Sequence, residues 1–138
     1  MTLWCVDTSA YHHSQAPAVA RRWQAALRSD EIGICDQVRL EILYSARSAE
    51  DYDEVAAELA AFRPIQSPAA TFRRALDVQR RLAHEGGLHH RSVQNADLLI
   101  AAAAEAAGAV VWHYDEDYDR IAAVTGQPTE WIAQRGSL

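Results

Sequence analysis

The chain has 138 residues, 49% of them apolar, and its 13 basic and 19 acidic side chains give a formal net charge of −6. Such a length and composition suit one globular domain with its own core, and exclude a disordered or collagen-like chain. The acidic balance argues against a general affinity for polyanions, although a bound cation can reverse the sign of the field locally.

Every basic residue is arginine and lysine is absent, which excludes any mechanism built on a lysine and leaves planar, forked donors suited to phosphate. Cys5 and Cys35 lie in short apolar runs without a C-x-x-C pattern. They read as small buried hydrophobes in a reducing compartment. The N-terminal run LWCV is far too short for a signal sequence, and the apolar stretch 98–112 is interrupted by Glu105 and Gly108. We therefore expect no membrane segment and a cytoplasmic protein.

In chain order, LWCV predicts a first strand that stops at Asp7, and Asp7-Thr8-Ser9 a turn or helix start. After Pro17, the stripe Val19, Trp23, Leu27 predicts an amphipathic helix with Arg21, Arg22 and Arg28 largely off it. IGIC at 32–35 is a second strand, with Asp36 as N-cap of the helix that follows. Ser48 opens another helix whose first turns are acidic, as the macrodipole favours, and FRPIQ holds a short third strand. Ser67-Pro68 starts a long helix that Gly86-Gly87 ends, and His89-His90-Arg91 is a basic loop. From Ser92 a helix of small apolar residues leads to a fourth strand at 109–114, a short helix at 119–125 and an edge strand in TEWI. Strands alternating with helices, and reading as unbroken apolar runs, predict one α/β domain over 1–138. Its parallel sheet of four to five strands would be covered on both faces.

Five acids stand in unusual places: Asp7 and Asp115 end apolar strands, Asp117 follows, and Glu41 and Asp97 share helical faces with apolar residues. Each alone is consistent with a cap or a border carboxylate. Together they require protonation or a cation, since like charges a few ångströms apart repel and no arginine is placed among them. Oxygen-only ligands in that number suit magnesium or manganese, ions able to promote in-line displacement at phosphorus.

Asp7-Thr8-Ser9 after an N-terminal strand, Glu41 in VRLEILYSA, Asp97 in NADLLIAAAAEAAG and Asp115-x-Asp117-Tyr118 in VVWHYDEDYDRIA closely resemble the PIN domain, and within it the VapC-type ribonuclease toxins of bacterial toxin–antitoxin pairs. The resemblance covers essentially the whole chain. It implies a three-layer α/β/α sandwich, usually dimeric, and magnesium-dependent RNA cleavage in which manganese substitutes. It also implies Asp7, Glu41, Asp97 and Asp115 as catalytic acids, Asp117 as a further metal ligand and Ser9 as a support.

One residue departs from the pattern: His113 stands where the family commonly has Thr or Ser, and could bond phosphate or a ligand water, or simply pack. Arg21, Arg22, Arg73, Arg80 and Arg91 are candidate RNA contacts. A cognate antitoxin is implied, docking either on the helix around Trp23 or on the face near Leu43 and Tyr44.

A receiver domain or a haloacid-dehalogenase-like phosphatase would need the lysine that is missing, and no G-x-S-x-G elbow supports a serine hydrolase. A catalytically degenerate PIN domain acting as a protein- or RNA-binding module is the alternative. Retention of all four acids argues against it. The expected products of water attack are 5′-phosphate and 3′-hydroxyl ends.

Overall fold

Five short segments become the strands of a single sheet in the computed structural model, which describes Met1–Leu138. The strands are β1 (Trp4–Val6), β2 (Ile32–Cys35), β3 (Arg63–Ile65), β4 (Val110–His113) and β5 (Thr129–Trp131). All pairings are parallel and the order is β3-β2-β1-β4-β5. Parallel neighbours need crossovers, and the helices supply them. They are α1 (Thr8–His12), α2 (Pro17–Arg28), α3 (Asp36–Tyr44), α4 (Ala49–Leu59), α5 (Ala70–His84), α6 (His89–Ser92), α7 (Asn95–Ala106) and α8 (Asp117–Thr125).

Successive residues of a strand point to opposite faces, and β4 shows what each face holds. Trp112 stacks between Trp4, at 4.6 Å between ring centroids, and Trp23 of α2 at 5.8 Å. The next residue, His113, packs instead against Tyr118 of α8. Helices α5, α7 and α8 pack against one another, and α7 lies on β4. The sheet therefore sits between an aromatic layer under α2 and a second layer centred on α7. Asp97, Leu98 and every residue from Ile100 to Ala104 are buried in α7, since its small side chains fit between sheet and neighbouring helices.

The expected architecture is observed, including the edge strand in TEWI, and Pro64 falls on the edge strand β3, where its missing N–H is tolerated. Several boundaries differ, among them the start of α8, at Asp117 rather than Asp119. Cys35, not Asp36, is the N-cap of α3; Asp36 is already helical and pairs with Arg39 at 2.8 Å. The basic stretch is not a loop but the one-turn helix α6, set up by three successive left-handed residues, Gly86, Gly87 and Leu88. Helix α7 starts at Asn95, capped by Gln94, rather than at Ser92. Both cysteines are buried free thiols.

Gly33 sits in β2 between two strands whose side chains close over it: an added Cβ would lie 2.6 Å from Ile65 Cδ1 and 3.2 Å from Leu3 Cδ1. Gly33→Ala should therefore destabilise the fold by about 1–3 kcal/mol through overpacking, read as a lower urea midpoint with unchanged slope. An unchanged midpoint would show that Ile65 can move aside freely.

Candidate metal centre

In the order β3-β2-β1-β4-β5 the chain steps outward in one direction from β1 and then in the other from β4. Open parallel sheets bind their ligands beyond the carboxyl ends of the strands at such a reversal. Asp7 leaves β1 there, and its N–H donates to the carbonyl of Trp112 at 3.1 Å. The side chain of Asp7 caps α1 by accepting the Ala10 N–H at 2.9 Å.

The Ser9 hydroxyl lies 2.8 and 2.9 Å from the two Asp7 oxygens, shares its one proton with them, and accepts the N–H of Tyr114 at 2.9 Å. It thereby joins the end of β1 to the loop after β4. In that loop Asp115 Oδ1 accepts the Asp117 N–H at 2.9 Å, a local turn that starts α8. Asp97 comes in from the first turn of α7, and its Oδ1 accepts from the Tyr118 hydroxyl at 3.3 Å.

One oxygen from each of Asp97, Asp115 and Asp117 lies within 4.8 Å of the others. Asp97 and Asp117 are buried, at 7% and 8% exposure, yet Asp97 Oδ2 has no hydrogen-bond partner. Asp7 is outside this compact trio, but its charge is felt by Asp97. Glu41 stands apart on α3: it is half-buried beside Thr8, and its Oε1 is unpartnered.

The expectation that no arginine is placed among the acids is corrected by Arg120, which meets Asp117 at 3.1 Å and Glu116 at 3.5 Å. Three residues along a helix bring the two side chains together.

The electrostatics follow from this crowding. Burial, then the charge of Asp115 and the adjacent Asp117 carboxylate, push the Asp97 carboxyl up to about 8. Burial raises Asp7 to about 6, against the Ala10 N–H and Ser9 that hold its charge. Glu41 is also raised by burial, with Thr8, Gln37 and His12 opposing. Tyr118 is held well above its ordinary value by burial and by the acids around it, so it remains a donor. An orphaned buried oxygen within a set of oxygen-only donors fits a hard divalent cation.

His113 is fully buried between Tyr118 and Trp131, so it cannot reach a phosphate in solvent. Of the expected RNA contacts, Arg22 is already engaged: it pairs with Glu130 at 2.8 Å, bonds the Ile132 carbonyl and covers Trp112. Arg21, Arg73, Arg80 and Arg91 are exposed. Arg74 reaches Glu105 near the far end of α7, whereas Gln79 meets Asn95 at its start. Along α5, Arg80 is therefore level with the first turn of α7 and Arg73 with its far end, and Arg91 precedes α7 in the chain on α6.

Sequence reasoning overlooked Tyr118 and Arg120 as members of the site. The signal was present in the spacing of α8, where Tyr118 and Ile121 form the inward stripe and Arg120 follows Asp117 by three.

A parallel α/β sheet with three carboxylates gathered at its point of reversal defines a domain with a candidate site for a divalent cation. The sequence model of the PIN domain matches residues 4–124. Ribonuclease VapC18 of Mycobacterium tuberculosis is 67% identical over 99% of each chain, and Ribonuclease VapC51 of the same organism 41% identical over 98% of this chain and 96% of its own. Among solved structures, a DNA-bound VapBC from Salmonella typhimurium has the same fold, with a TM-score of 0.77 at 18% identity over 96% of this chain and 100% of that one. VapBC2 from Rickettsia felis, bound to a DNA fragment, gives 0.75 at 17% identity over 94% and 98%. The chain belongs to the PIN-domain family, among the VapC ribonucleases.

The raised acids set a pH dependence for the metal-free protein. Asp97, at about 8 when folded against 3.8 ordinarily, holds a proton that the unfolded chain has released. Its contribution is fully present below its unfolded value and is lost as pH rises through its folded one. Asp7 acts with the same sign up to about 6. In chelator, Tm should fall as pH rises from about 5 to about 8.5, and Asp97→Asn should flatten that fall. A Tm that rises over this range would contradict the assignment.

Proposed function

We propose that the chain is a divalent-metal-dependent endoribonuclease, the toxin of a toxin–antitoxin pair, using magnesium with manganese as a substitute. The observation that carries the reading is the convergence of Asp97, Asp115 and Asp117 within 4.8 Å around an unpartnered buried oxygen, in a chain whose named relatives are ribonucleases. In this reading Asp97, Asp115 and Asp117 hold the cation with Asp7 at its edge, and Ser9 fixes Asp7 in place. Such a cation, when bound, offsets charge developing on a phosphodiester and acidifies water.

Glu41, with its unpartnered Oε1 and a carboxyl raised by burial, is assigned the role of proton acceptor. Arg120 restrains Asp117, and Arg80 and Arg91 are best placed to take phosphates of an RNA approaching the acids. Arg21 and Arg73 are more distant auxiliaries. Attack by water leaves 5′-phosphate and 3′-hydroxyl ends.

The cognate antitoxin is assigned to the face of α3 and α4, where Leu40 is 64%, Tyr44 92% and Tyr52 44% exposed beside Glu41. Trp23 is only 3% exposed and stacks in the core, which favours this face over the helix around Trp23. For a second copy of the chain, the exposed Phe72 and Leu76 of α5 beside Leu98 and Leu99 offer an apolar face.

The test of the nuclease is cleavage of an RNA pool with manganese, with chelator, and by Asp7→Asn and Asp97→Asn. Each substitution should lower cleavage by about 100-fold or more, and chelator should abolish it. Cleavage that survives both Asp97→Asn and chelator would sink the proposal. For the antitoxin, Tyr44→Glu should weaken its binding at least about tenfold, as loss of an exposed aromatic anchor does. Equal affinity by calorimetry would move the dock elsewhere.

A further inference from the structure

His113 ends β4 with its imidazole fully buried, 4.9 Å from the Tyr118 ring and 5.0 Å from that of Trp131. A neutral imidazole has one nitrogen that donates and one that accepts. The backbone shows which is which. The N–H of Asp115 donates to Nδ1 at 3.2 Å, which requires Nδ1 to be bare and places the proton on Nε2. Nε2 itself has no partner in the protein, so the one hydrogen bond the ring makes is to the acid loop.

That bond controls more than one peptide. Asp115 Oδ1 accepts the N–H of Asp117, so the orientation of Asp115 is passed to the start of α8. Two of the three clustered carboxylates thus hang from a turn whose first peptide is anchored on the imidazole. A Thr or Ser here, as the family commonly has, could rotate its hydroxyl to donate or accept. A bare Nδ1 only accepts, and packing by two aromatic rings fixes where it points.

We propose that His113 is a positioning residue: in its Nε2-protonated tautomer, Nδ1 holds the Asp115 N–H and so aims the Asp115 and Asp117 carboxylates into the cation site. This rests on the assignment of those acids as cation ligands. The competing role is packing alone, and two substitutions separate them. His113→Phe keeps a ring between Tyr118 and Trp131 but offers no acceptor. His113→Asn loses the ring but can place an amide oxygen where Nδ1 was.

The experiment is manganese binding by calorimetry to the wild type, His113→Phe, His113→Asn and Asp115→Asn, with Tm measured for each. We expect His113→Phe to bind manganese about tenfold more weakly while remaining the more stable of the two variants, as loss of a bond supporting a ligand does. His113→Asn should stay within about threefold of wild type despite its lower Tm. Affinity that instead follows Tm, or that neither variant changes while Asp115→Asn loses binding, overturns the role of His113 and leaves the cation site standing. Wild-type affinity in Asp115→Asn removes the site assignment and the inference with it. Two-bond proton–nitrogen correlations on the wild type give an answer that needs no variant to fold: a protonated Nε2 with a bare Nδ1 supports the proposal, and a proton on Nδ1 ends it.

Discussion

The molecule is organised around a charge problem. Three carboxylates within 4.8 Å, two of them buried and with Asp7 nearby, repel one another when all are ionised. Two unit charges 4 Å apart repel by about 4 kcal/mol even at an effective dielectric constant of about 20. The neighbours each relieve a part of this: Ser9 and the Ala10 N–H hold Asp7, Arg120 pairs with Asp117, and the Tyr118 hydroxyl donates to Asp97. Asp97 Oδ2 is left over. With no cation bound, a proton on Asp97 is what remains to neutralise the cluster, and burial first, then the neighbouring charges, raise that carboxyl to about 8. A cation bound there would compete with that proton for one place, so its binding would release the proton.

The sheet solves the geometric half of the problem. Strands of three or four residues leave little room for error in register, and the pairing of Val6 with Trp112 sets the ends of β1 and β4 level. Asp7 and the loop holding Asp115 then emerge side by side, close enough for one serine hydroxyl to bridge them. The third approach, α7, delivers Asp97 from its first turn, where the helix dipole favours a carboxylate. Desolvation outweighs that help: the run from Ile100 to Ala104 that lets α7 settle deeply also takes Asp97 out of water.

Most of this was legible in the sequence for definite physical reasons. Parallel strands buried on both faces leave apolar runs, so IGIC and VVWH announce themselves, and the acids that end such runs are conspicuous. Asp97, Asp115 and Asp117 come within 4.8 Å of one another and Asp7 lies outside that trio, each fixed by a strand end or a helix start. Glu41 is different. Its position on a helical face was readable, but how α3 is set against α1 and α7 was not, and its carboxylate lies outside the trio. The partners of individual side chains were also hidden: nothing local says that Arg22 is spent on Glu130, 108 residues away. The part played by His113 was hidden for the same reason, since it depends on Trp131 and Tyr118 arriving from two other elements.

Strand β4 shows how one segment meets two opposed demands. A site that gathers like charges is destabilising until it is filled, so stability must come from elsewhere. On one face Trp112 joins Trp4, Trp23 and, through Trp23, Phe62 in an aromatic layer away from the acids. On the other face, one residue on, His113 turns toward the acids and supports their loop. The two tasks are kept apart by nothing more than the alternation of a strand, and the ladder to β1 fixes which residue faces which way. A slip of one residue would put the imidazole under α2 and the indole beneath the acid loop. The register between β1 and β4 therefore determines both where the fold gains its stability and whether the carboxylates converge.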